Sequence, residues 1–195
     1  CPMPYLNRNQ IKNLIDEKCI FSNKSINTHQ LQPASLDLTI SNTCYRIKAS
    51  FIPNNRPISK IISELMLAKI DLSKEFLLER NCIYLCEINE KLKLPKEIKG
   101  KANPKSTTGR LDIFTRIITE HGSEYDFIDY NYKGKLYLEI IPQSFSIKIK
   151  NNISLNQIRF YKGPNGESTQ REQKISVNIK KDTVSAYKAK KITSA

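Results

Sequence analysis

Apolar and polar positions change period several times along this 195-residue chain. In "NRNQIKNLIDEKCI", residues 7–20, Ile11, Leu14, Ile15 and Cys19 recur at helical spacing. That predicts a short N-terminal helix capped by Asn7 or Asn9. "LQPASLDLTIS" reads as a turn leading into an alternating strand, and "TCYRIKASFI" alternates as well. "SKIISELMLAKI" predicts a second short helix with Ile61, Ile62, Leu65 and Met66 turned inward. From residue 74 strands dominate. "FLLE", "CIYLCEI", "IKGKAN", "KLYLEII", "FSIKIK" and "NQIRFYK" predict short β segments, with "LPKE" and "KNN" among the turns between them. Regular short strands with turn signals predict a mainly β sandwich or barrel. Residues 162–174, "KGPNGESTQREQK", read as a polar loop or linker, and "ISVNIKKDTVSAYKAKKI" offers one more strand pair.

One residue breaks the strand pattern. "KLYLEII" is apolar on both faces except for Glu139, and a strand apolar on both faces is buried on both. An isolated buried carboxylate is costly, so it must be paired, hydrogen-bonded or protonated. Two readings stand at this point. Glu139 is a strand-end carboxylate paired with one of the many lysines, or it is a carboxyl able to move protons near neutral pH. His29 and His121 lie in polar loops, and no local motif sets Ser, His and Asp into a triad.

A second stretch raises a chemical question. "ANPKSTTGRLDIFTR", residues 102–116, places Lys105, Ser106, Thr107, Thr108, Gly109 and Arg110 together. Two cations, three hydroxyls and a glycine suit phosphate oxygens, yet the same residues make an ordinary solvated turn. The P-loop pattern is absent.

The formal net charge of +13 invites a nucleic-acid reading, and the field would draw any polyanion. Lys outnumbers Arg 24 to 8, the lysines are scattered, and Ile and Asn are abundant, as an AT-rich coding bias alone would produce. Five cysteines at irregular spacing suggest reduced thiols and a cytoplasmic protein. Cys82 and Cys86 fall on one face of a strand as small buried hydrophobes, with spacing wrong for a zinc clip. No apolar run approaches the roughly 20 residues that span a bilayer.

"LQPASLDL", "ANPKSTTGRLDIFTR", "FIDYNYKGKLYLEI" and "LNQIRF" together resemble the dCTP deaminase family of the trimeric dUTPase superfamily. They stand in that family's order and approximate spacing. The nearest resemblance is to the N-terminal part of the long two-domain bacterial form. The resemblance implies a distorted jelly-roll β-barrel over residues 1–161, with residues 162–195 a polar linker and the start of a possible second domain. It implies a homotrimer that deaminates dCTP to dUTP and ammonia without zinc, with Mg²⁺ on the triphosphate and neither membrane nor specific nucleic acid as partner. The implied catalytic residues are Glu139 as proton shuttle, Ser106 and Arg110. The implied substrate contacts are Lys105, Thr107, Thr108, Gly109, Asp129, Tyr137, Leu138 and Gln157. Phe127 stands where the family carries an Arg, so that guanidinium role must pass elsewhere, with Arg116 as the candidate. Two alternatives remain: a dUTPase-type or bifunctional deaminase–diphosphatase, and a non-catalytic basic module that binds nucleotides or nucleic acid.

Overall fold

The computed structural model describes residues 4–163, and the expected linker and strand pair from 164 to 195 lie outside the described residues. The elements are α1 (Arg8–Asp16), β1 (Ile20–Phe21), β2 (Leu36–Leu38), β3 (Ile40–Ile47), α2 (Ile58–Leu65), β4 (Met66–Asp71) and β5 (Phe76–Leu78). They continue as β6 (Ile83–Lys93), β7 (Ile98–Pro104), α3 (Ser106–Arg110), β8 (Ile113–Thr119), β9 (Phe127–Ile128), β10 (Lys133–Pro142), β11 (Ile147–Ile149) and β12 (Asn156–Lys162). The fold is mainly β, as the strand pattern predicts, and of the jelly-roll barrel type that the resemblance implies.

Helix α1 starts where its cap predicts. Asn7 Oδ1 accepts from Gln10 N at 3.0 Å, and Gln10 Oε1 accepts from Asn7 N at 2.9 Å, a reciprocal capping box. Its buried stripe is Ile11 and Leu14. The inward placement of Met66 does not hold. Helix α2 stops at Leu65, and Met66 opens β4, pairs with Ile47 of β3 and is 42% exposed. The ladder hydrogen bonds to β3 override the helical period there.

Two antiparallel sheets enclose the main core. The larger runs in the order β4-β3-β6-β10-β8, with β1 paired to the end of β6; the other runs β2-β12-β7-β9. Leu36, Leu38, Ile40, Leu136, Leu138, Ile158 and Phe160 pack between them. A smaller apolar cluster covers the opposite face of the larger sheet. Ile58 and Ile62 of α2 meet Ile47, Leu85, Ile118 and Tyr137 there. Strand β10 is therefore buried on both faces, which is why its sequence is apolar at both parities.

Strand β8 is another element that sequence periodicity missed. It pairs with β10 along its whole length and places Arg116 directly opposite Glu139. Among the described residues no helix is long and apolar enough to cross a membrane.

Candidate active site

Glu139 lies in the interior of β10, on the face it shares with Tyr137, and is wholly buried. Its neighbours in register are Leu85 of β6 and Arg116 of β8. Arg116 Nε donates to Glu139 Oε1 at 2.8 Å. The lysine partner expected on the strand-end reading is thus replaced by an arginine from the adjacent strand. The guanidinium is itself held, with Tyr125 3.6 Å and Phe114 5.2 Å from it at their ring centroids. Tyr125 is tied down in turn, its hydroxyl donating to Phe51 O at 2.9 Å.

Glu139 Oε2 has no hydrogen-bond partner among the described residues. A buried carboxylate oxygen without a donor is expensive, so its retention needs a reason beyond folding. Asp126, which follows Tyr125 in the chain, accepts from Ile117 N at 2.7 Å. Desolvation pushes the Asp126 carboxyl above the usual range, against the lowering effects of that hydrogen bond and of Arg116.

The 102–116 segment divides its residues between fold and surface. Thr108 is fully buried, and its hydroxyl donates to Leu155 O at 2.5 Å, tying α3 to the start of β12. The hydroxyl of this expected substrate contact is thus engaged within the chain. Leu138, another expected contact, has the opposite parity to Glu139, and its side chain points into the main core. Tyr137 has its ring in the smaller core and is 5% exposed. Ser106, Thr107, Gly109 and Arg110 remain at the surface. A Cβ at Gly109 would meet nothing within 4 Å, so the space beside that backbone is open.

Lys105 reaches the other way. Its Nζ lies 2.7 Å from Asp37 Oδ2, while Asp37 Oδ1 is buried and unpartnered. Asp37 sits opposite Gln157 in the β2–β12 ladder, and Gln157 Oε1 accepts from Ser35 at 3.4 Å. Lys105 and Asp37 line a cavity of about 460 Å³ together with Lys24, His29, Gln30 and Thr39. Behind Thr39 stands Glu90, 1% exposed, whose carboxylate accepts from Thr39 N at 2.5 Å and Thr39 Oγ1 at 2.7 Å. Asp37 and Glu90 were both missed by sequence reasoning. Asp37 sits inside the quoted "LQPASLDL" block, so a signal for it existed; Glu90 falls on an ordinary alternating strand and carried none.

Asp129 lines a separate cavity of about 290 Å³ with Glu120, Phe127 and Tyr132. The Tyr132 hydroxyl donates to Lys135 O at 2.5 Å and accepts from Glu120 N at 2.9 Å, and burial pushes that phenol up. The expected residues therefore form three groups around Glu139, Lys105 and Asp129. Among the described residues, neither Ser106 nor Arg110 hydrogen-bonds to Glu139 within one chain. No cluster of three or more His, Cys, Asp or Glu side chains gathers among them to hold a metal ion.

The Nanoarchaeum equitans protein named "dCTP deaminase, dUMP-forming" is 29% identical over 173 residues, covering 80% of this chain and 83% of its own. The protein of the same name from Methanosphaera stadtmanae is 27% identical, covering 71% and 68% respectively. The crystal structure of 2'-deoxycytidine 5'-triphosphate deaminase from Agrobacterium tumefaciens superposes with a TM-score of 0.79 at 39% identity. That match covers 84% of this chain and 49% of the solved one, so the chain spans about half the length of that relative. The model of the 2'-deoxycytidine 5'-triphosphate deaminase N-terminal domain matches residues 3–164, a span that takes in both sheets and all three residue groups, and the chain belongs to that family.

Proposed function

We propose that this chain removes the 4-amino group of dCTP, giving dUTP and ammonia, with Glu139 as the proton shuttle. The observation that carries this reading is a fully buried carboxylate held at Oε1 by Arg116 and unpartnered at Oε2. Water is a weak nucleophile and the exocyclic amine a poor leaving group. As the water oxygen bonds to C4, Glu139 Oε2 takes its proton and passes it to N3. Glu139 then moves the second proton from the new hydroxyl to the amine, which leaves as ammonia as the C4–O double bond forms. The carboxylate ends as it began. General acid–base catalysis of this kind is worth about a hundredfold to ten-thousandfold.

The other groups suit the rest of the nucleotide. Lys105, Thr107 and Arg110 offer charge-assisted or hydroxyl donors to phosphate oxygens, and Asp129 an acceptor to a sugar hydroxyl. The unpartnered Asp37 Oδ1 fits a cation carried on the triphosphate. Mg²⁺ would neutralise phosphate charge there. The chemistry at C4 runs on Glu139 and its neighbours, so the activity is zinc-independent. Ser106 and Arg110 stand apart from Glu139 within one chain, and Leu111 and Phe114 are 42% and 43% exposed beside them. Both features favour a homotrimer that completes each site between neighbours, working on the cytoplasmic deoxynucleotide pool.

The relatives' names favour a second reading, in which diphosphate is also removed and dUMP leaves. Incubation with dCTP and, separately, dUTP in Mg²⁺, with the products resolved, decides between them. Under the first reading dCTP gives dUTP and dUTP is untouched. Appearance of dUMP from dCTP supports the second, and failure of dCTP to react at all contradicts both.

A further inference from the structure

We propose that Arg116 is a positioning residue for Glu139, fixing the carboxylate so that Oε2 alone carries the proton. The inference rests on the reading of Glu139 as proton shuttle and adds to it which oxygen works and what orients it. A free glutamate offers two equivalent oxygens and rotates about its terminal torsion. Here Oε1 is occupied by Nε of Arg116 at 2.8 Å, and Oε2 has no protein donor. The two oxygens are therefore chemically distinct before any substrate arrives.

Aromatic contacts restrain the guanidinium on its Oε1 side. Tyr125 lies against it at 3.6 Å and Phe114 at 5.2 Å, and the Tyr125 hydroxyl is anchored to Phe51 O at 2.9 Å. Tyr125 and Phe51 pack with the smaller core under α2. Rigid structure thus runs from that core through Tyr125 and Arg116 to one oxygen of Glu139. Only one nitrogen of Arg116 is used; Nη1 and Nη2 make no hydrogen bond to the described residues. A side chain serving solely to neutralise a buried carboxylate would pair bidentately if free to do so. The single-nitrogen contact instead leaves Oε2 buried and without a protein donor. Misplacement of a reacting group by about 1 Å costs on the order of a hundredfold in rate, so such a clamp matters.

The test compares Arg116→Lys and Tyr125→Leu with wild type and Glu139→Gln in the full chain. Ammonia release is measured at saturating and limiting dCTP, and folded protein is counted by dCTP binding. Lysine keeps a cation beside the buried carboxylate, so the fold survives, but it lacks the planar fork and the ring stacking. Tyr125→Leu leaves the ion pair intact and loosens only its support. The expected result is a kcat lower by about 10- to 100-fold for Arg116→Lys, and lower by a smaller factor for Tyr125→Leu, with KM within about threefold in both. A kcat within twofold of wild type in both variants overturns the inference. So does a loss confined to KM, which would put Arg116 on the substrate. Wild-type ammonia release by Glu139→Gln would instead remove the proton shuttle itself, and the inference with it.

Discussion

Lys105 Nζ lies 2.7 Å from Asp37 Oδ2, joining the segment after β7 to strand β2 while the second carboxylate oxygen stays buried and unpartnered. Asp37 is 5% exposed and the lysine side chain about a third, so the pair is partly shielded from water. Lys105→Met strands that carboxylate, at a cost of about 1–3 kcal/mol. Adding Asp37→Asn should recover most of the loss, because the charge itself is gone. Urea unfolding of the single and double variants measures both. Equal losses in the two would mean that the stranded Asp37 carboxylate is not the source of the loss.

Thr108 and Arg110 sit two positions apart and should respond in opposite ways. Thr108→Val removes one of two donors to Leu155 O, which keeps its bond from Lys105 N at 3.1 Å, and lowers stability by about 0.5–1.5 kcal/mol with dCTP affinity unchanged in the folded protein. Arg110→Ala should leave stability alone, since the residue is exposed. It should weaken dCTP binding about ten- to a hundredfold more than deoxycytidine binding, if the guanidinium meets phosphate. Calorimetry on both ligands, with thermal melts, checks the pair. Equal losses for dCTP and deoxycytidine would place Arg110 away from the phosphates.

What could be seen in advance followed from local rules. The Asn7 cap and the Ile11–Leu14 stripe mark α1, because a capping box and a helical period are written in neighbouring residues. Glu139 stood out because a two-sided apolar strand leaves a carboxylate nowhere to go. Its arginine partner was harder: "IFTRIIT" has an unremarkable pattern, and only the ladder between β8 and β10 sets Arg116 opposite it. Thr108 looked like its neighbours Ser106 and Thr107, since one turn of α3, not residue type, decides which hydroxyl faces inward. Glu90 was illegible for the same reason, because its partner Thr39 lies 51 residues away.

Glu90 also sets a pH dependence. Burial raises its carboxyl above the ordinary value of about 4.5, against the lowering effect of its hydrogen bonds to Thr39. The folded state therefore holds the proton where the unfolded chain has lost it, and stability falls as pH climbs from the ordinary carboxyl value through the raised one. Asp126 acts with the same sign. Glu90→Gln should flatten the fall in stability as pH climbs above the ordinary carboxyl value, read from urea midpoints. Identical slopes in wild type and variant would contradict the buried-carboxyl account.

The central claim is that Glu139 moves protons between water and the cytosine ring, and Glu139→Gln tests it most directly. The amide keeps the size of the side chain, and its oxygen can still accept from Arg116. Ammonia release from dCTP, measured beside dCTP affinity and melting temperature on one preparation, separates chemistry from folding. The account predicts a folded variant that binds dCTP and releases ammonia slower by about a hundredfold or more. A stable variant releasing ammonia at near wild-type rate would contradict it.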